Sequence, residues 1–200
     1  MPAQRRSQQD RSRATRGVLE ETARRLFAER GYPDVSAGEI VAAAGVTRGA
    51  LYHHYANKQD LFRAVFEELE RELSEEITAA IEAAPDQRTA MVAGIARFLD
   101  VCQRPEVVRI ALTDAPAVLG WQAWRDIEAR YGLGLITAAL DRARREGVLV
   151  PAPVPALAQL VFSAVTEAAL MVAHAEDRAS ARADAEQALL TLLSGMVAVG

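Results

Sequence analysis

Between Leu61 and Ile81 the apolar residues fall at Leu61, Phe62, Val65, Phe66, Leu69, Leu73, Ile77 and Ile81. Only an α-helix turns a spacing of three and four onto one face; a strand would scatter the same residues over both sides of a sheet. The stripe predicts a helix of about 25 residues beginning at Asn57, and shorter stripes recur along most of the chain. Alanine, the strongest helix former, fills 40 of 200 positions, whereas glycine and proline together fill 20, so breaks are few. The expected fold class is all-α, with nine helices. Cys102 is the only cysteine, which excludes an intrachain disulfide and suits a reducing compartment. No apolar leader opens the chain, and no run reaches about eighteen uninterrupted apolar residues. A cytoplasmic protein, neither secreted nor membrane-embedded, is expected.

The net charge of −4 is unevenly spread. Residues 1–60 hold ten Arg and Lys against seven acids, and residues 61–200 hold thirteen against twenty. A basic N-terminal third on an acidic remainder fits a polyanion-binding head joined to a body with another task. Residues 1–12, arginine-rich and without period, are expected to form a disordered tail.

The stripe Val18, Thr22 and Leu26, with Leu19, Ala23 and Phe27 beside it, predicts a first helix that ends at Gly31 before Tyr32-Pro33-Asp34. Ser36 and Glu39 have the spacing of a capping box, in which each side chain satisfies a free backbone N–H of a new helix. That helix stops at Gly45; Thr47 then caps a third, with Leu51 and Tyr55 inward. Two short helices joined by Ala44-Gly45-Val46 fit a helix-turn-helix. The outer face of the third helix carries Thr47, Arg48, Gly49, Ala50, Tyr52, His53 and His54. Small residues at Gly49 and Ala50 allow close approach to base edges, and Arg48 suits guanine or phosphate. Thr47 with the helix start, and Lys58, the only lysine in the chain, suit phosphates.

The segment GYPDVSAGEIVAAAGVTRGALYHHYANKQDLF closely resembles the DNA-binding signature of the TetR (tetracycline repressor) family of bacterial transcriptional regulators, over about residues 13–66. Val41, Ala37 and Gly38 depart from the common pattern. The resemblance implies phosphate contacts from Ser36, Thr47, Tyr52, His54 and Lys58, and base or mixed contacts from Arg48, Gly49, Ala50 and His53. It also implies double-stranded operator DNA as partner, a small-molecule effector enclosed by helices four to seven, and a homodimer through the last two helices. The domains are then 13–56 for DNA and 57–200 for effector and dimerisation, linked by helix four.

In the body, a helix carrying Met91, Ile95, Phe98, Leu99 and Cys102 follows Pro85-Asp86, and a short one opens at Arg104-Pro105. Asp114-Ala115-Pro116 is expected to break the chain before a long helix through Trp121, Trp124, Ile127 and Tyr131, with Gly120, Gly132 and Gly134 as candidate interruptions. Residues 148–155 read as an extended connector to helices over about 156–176 and 180–198, the last with Met196 and Val197 inward. Trp121 and Trp124 are candidate walls for a mostly apolar effector, with Phe98, Cys102 and Met171; Arg109 and His174 are candidates to orient it. The same residues also suit plain core or surface. Three histidines, two of them adjacent, cannot make an HExxH site, and no GxSxG, Walker A or GxGxxG motif occurs. No catalysis, metal or cofactor is expected. A small all-α ligand carrier with a non-functional helix-turn-helix is the alternative to a regulator.

Overall fold

The computed structural model describes residues 2–196, with the side chains of residues 10–86 and 88–196. Nine helices make up the described residues: α1 Pro2–Arg30, α2 Ala37–Ala44, α3 Arg48–His54, α4 Lys58–Glu82, α5 Gln87–Val101, the composite α6, α7 Trp121–Arg145, α8 Val154–His174 and α9 Arg178–Ser194. Helix α6 joins Pro105–Val107, a π-helical stretch Val108–Asp114 and Ala115–Leu119 without a break.

Most boundaries follow from local chemistry. Gly31 and Gly45 take φ of 85° and 65°, left-handed values open to glycine, and close α1 and α2. Asn57 and Asp86 cap α4 and α5 by accepting from Asp60 N and Thr89 N.

Four expectations are corrected. The tail over 1–12 is helix from Pro2 onward: proline suits a first turn, and the Gln, Arg and Ala residues after it are good helix formers however polar the segment is. Met1 lies outside the described residues. The break at Asp114-Ala115-Pro116 does not occur, because the Ala115 N–H reaches back five residues to Ile110 O and this wider turn accommodates a proline that has no N–H to donate. The chain turns instead at Gly120, φ 82° and ψ 151°, while Gly132 and Gly134 lie inside α7. The connector is shorter than expected, since α8 starts at Val154 with proline in its first turn, and α9 ends at Ser194; Val197 lies outside the described residues.

One hydrophobic cluster runs from the head into the body. Leu19, Phe27, Ile40, Leu51, Leu61, Phe62 and Phe66 share it with Ile110, Trp124 and Ile127, each such side chain contributing about 1.5–3 kcal/mol on burial. The loop after α3 therefore divides the sequence without dividing the core. A second cluster joins α5, α8 and α9 through Ile95, Leu99, Ala168, Val172, Leu189 and Leu193. Helix α8 is long and apolar enough to cross a membrane by length and composition alone, but Phe162, Thr166, Ala169 and Ala173 face the body.

Candidate nucleic-acid interface and internal cavity

Helix α3 is held from behind and free in front. Leu51 and Tyr55 are buried; the Tyr55 hydroxyl donates to Glu20 Oε1 at 2.5 Å, fixing the end of α3 to α1. The capping box is complete: Ser36 N donates to Glu39 Oε2 at 2.8 Å and Glu39 N to Ser36 Oγ at 3.2 Å. The donated hydrogen bond from Ser36 holds the Glu39 carboxyl down to about 2. Thr47 Oγ1 accepts from Ala50 N at 3.1 Å. In front, Thr47, Arg48, Gly49, Tyr52 and His53 are exposed, and Ala50 and His54 are partly so. The Arg48 guanidinium lies 5.7 Å from the Tyr52 ring centre, and the rings of His53 and His54 are 5.1 Å apart. The result is a short rod with a small-residue strip at Gly49-Ala50 and donors on either side, the chemistry a major groove reads.

The body encloses a cavity of about 70 Å³ walled by α4 to α8. Phe98, Tyr131, Leu135 and Phe162 supply apolar wall, and Thr166, Ser74, Glu70 and Glu128 supply polar groups. Burial pushes the Glu70 carboxyl up to about 7. Burial, with the Glu70 charge nearby, pushes Glu128 up to about 8 against the opposing pull of Arg125. A larger groove of about 390 Å³ lies between α1 and α4, but it is open, and Arg16 on its wall already pairs with Glu20 at 2.9 Å.

Comparison with known proteins agrees at both ends of the chain. A family model described as "Bacterial regulatory proteins, tetR family" matches residues 19–65, and "Tetracyclin repressor-like, C-terminal domain" matches residues 88–196. The chain belongs to the TetR family. The HTH-type transcriptional repressor Rv1474c of Mycobacterium tuberculosis is 33% identical over 140 residues, 69% of each chain. The Transposon Tn10 TetC protein of Escherichia coli is 29% identical over 142 residues, 71% of this chain and 72% of that one. A crystal structure of a TetR-family transcriptional regulator from Pectobacterium atrosepticum superposes with a TM-score of 0.86 at 36% identity, covering 95% and 97% of the two chains. The chain is thus a DNA-binding transcriptional regulator, and the carrier alternative is set aside.

Within this TetR-family head, Lys58 has a task the sequence does not reveal. Its ammonium donates to Tyr32 O at 2.9 Å and Val35 O at 2.8 Å and sits 3.7 Å from the Tyr32 ring centre; burial lowers its pKa. Two of its three donors thus hold the loop before α2, a structural task for a residue from which the sequence suggests a phosphate contact. Lys58→Met is expected to cost about 1–2 kcal/mol of stability through the two carbonyls left unpaired. It should leave the slope of log affinity against log salt unchanged. A phosphate contact would instead lower that slope by about one, and titration at several salt concentrations distinguishes the two.

The residues expected to line the effector site separate. Phe98 and Cys102 do line the cavity, Cys102 as a buried thiol whose pKa burial raises. Trp124 is fully buried in the core shared with the head, whereas Trp121 and Met171 are exposed. His174, exposed at the end of α8, bonds Leu170 O through Nδ1. Arg109 points away from the cavity: Nη2 donates to Arg30 O at 2.9 Å. Asp114, five residues on, accepts from Tyr32 N at 2.7 Å. The π-helical turn brings two side chains five apart to one side, so both grip the end of α1. Glu70 and Glu128, which the sequence reading passes over, carry a faint signal. Each occupies an inward row of its helix, Phe66-Glu70-Leu73-Ile77 and Trp124-Glu128-Tyr131-Leu135.

Proposed function

We propose that the chain is a homodimeric cytoplasmic repressor that two α3 helices seat on a roughly palindromic operator and that a small molecule in the body releases. The outward presentation of Arg48, Gly49, Tyr52 and His53 on a helix anchored by Leu51 and Tyr55 carries this reading. Twofold symmetry places the helices in successive major grooves about 34–36 Å apart. Arg48 and His53 act at base edges with Gly49 and Ala50 beside them, while Thr47, Tyr52, His54 and the α2 start at Ser36 act at phosphates. The cavity between α4 and α8 takes the effector, and α4 with the Arg109 and Asp114 grip of α6 connects it to the head.

An unpartnered face supports dimerisation through α8 and α9. Leu160 and Met171 are 68% and 60% exposed, and Leu192 on α9 is 63% exposed. Eleven residues are three helical turns, so Leu160 and Met171 share one line, with Ser163 and Glu167 between them. A second subunit covering that line removes apolar surface from water. Leu160→Glu is therefore expected to give a monomer in sedimentation and to weaken operator affinity by about 100-fold or more, because two linked half-sites become independent. A variant that stays dimeric with full operator affinity would contradict this interface.

A further inference from the structure

We propose that the cavity takes an organic cation, a protonated amine or amidinium on an apolar body, with the charge lodged between Glu70 and Glu128. The inference deepens the reading of this cavity as the effector site and rests on it. Glu70 lines the cavity with no hydrogen bond or ion pair to any described residue. Glu128 is 8% exposed, and its Oε2, buried at the cavity, has no hydrogen-bond donor. The nearest cation, Arg125 Nη1, stands 3.6 Å from that oxygen. The same guanidinium is held elsewhere, donating from Nη2 to Ser163 Oγ at 3.2 Å and lying 4.5 Å from the Phe162 ring centre.

Arg125 thus approaches Glu128 alone, and no cation among the described residues pairs with Glu70, so ionisation of both leaves an uncompensated negative charge in a mostly apolar chamber. An anionic guest would add to that charge, and a neutral apolar guest would seal two poorly paired carboxyls away from water. A cation removes the imbalance and favours the ionised form of both acids, so it displaces protons as it binds. The rings of Phe98, Tyr131 and Phe162 on the same walls suit the apolar body of such a guest, since aromatic side chains offer large apolar area.

Primary alkylammonium salts from propyl to octyl, with alcohols and carboxylates of equal length, test the inference by calorimetry at pH 7 in two buffers of different ionisation enthalpy. At least one ammonium is expected to bind about tenfold or more tightly than its alcohol and to release about one proton. Glu70→Gln and Glu128→Gln should each shrink that preference and the proton count. Equal binding of alcohol and ammonium, binding without proton release, or no binding by any member overturns the cationic site. Anisotropy of a bound operator duplex separates the layers. Release by alcohols or carboxylates alone rejects the charge and keeps the cavity as effector site; a protein that never binds the duplex rejects the regulator reading beneath both.

Discussion

Gly31→Ala is expected to destabilise the protein by about 2–3 kcal/mol and to lower the thermal midpoint by about 4–12 °C. Two independent causes act at this residue. Its φ of 85° is left-handed, where a Cβ costs about 1–2 kcal/mol. The added Cβ would also overlap the Arg109 guanidinium, and that side chain can retreat only by giving up Arg30 O at 2.9 Å and its 3.7 Å approach to Asp114. Arg109→Ala removes the obstacle, so the double variant should be no less stable than Gly31→Ala alone, a coupling that a double-mutant cycle measures. Thermal melts of Gly31→Ala that coincide with the parent would show that the close approach of α6 to the end of α1 carries no energy.

The second large effect concerns pH. Glu70 and Glu128 have folded values of about 7 and about 8 against an ordinary 4.5, so between pH 4.5 and 8 the folded state binds more protons than the unfolded state. Stability from this source is fully present below pH 4.5 and is lost as the pH rises through 7 and 8. The slope approaches about 1 kcal/mol per pH unit for each carboxyl while it lasts. Denaturant midpoints from pH 5 to 8.5 should fall accordingly, and Glu70→Gln or Glu128→Gln should flatten the decline and raise stability at pH 8 by about 1 kcal/mol or more. A parent profile parallel to that of both variants would contradict the burial of these acids, Glu70 in part and Glu128 nearly in full, at the cavity wall.

The head was legible because its signals are local. The capping box at Ser36 and Glu39, the left-handed glycines at 31 and 45, and the cap at Thr47 each act within four residues of chain, and each appears where its spacing predicts; Asn57, expected as the first residue of α4, caps it instead. Helix α4 likewise follows from one uninterrupted stripe. What escaped depends on contacts between distant segments. No periodicity announces a π turn, so Asp114-Ala115-Pro116 read as a break and Arg109 as a ligand contact, when both acid and arginine face α1. The cavity acids escaped for a related reason. A glutamate within an apolar stripe reads as surface until helices far apart in sequence close around it, and α4, α7 and α8 come to line one cavity only in the fold. Trp121 shows the converse: a large aromatic next to a buried one, Trp124, is itself 61% exposed, because a residue three positions away on a helix can face the outside of a packed row.

Fluorescence titration tests most directly whether α3 reads DNA. Labelled duplexes tiled across the region upstream of the coding sequence would be compared with scrambled duplexes of the same composition at fixed salt. One tile should bind the parent about 1,000-fold or more tightly than its scrambled counterpart. Arg48→Ala should lose about 1–3 kcal/mol on that tile while changing scrambled-duplex binding far less. A folded dimer that binds every tile and every scrambled duplex alike, with Arg48→Ala indistinguishable from the parent, would contradict the assignment of the exposed α3 face as the sequence-reading surface.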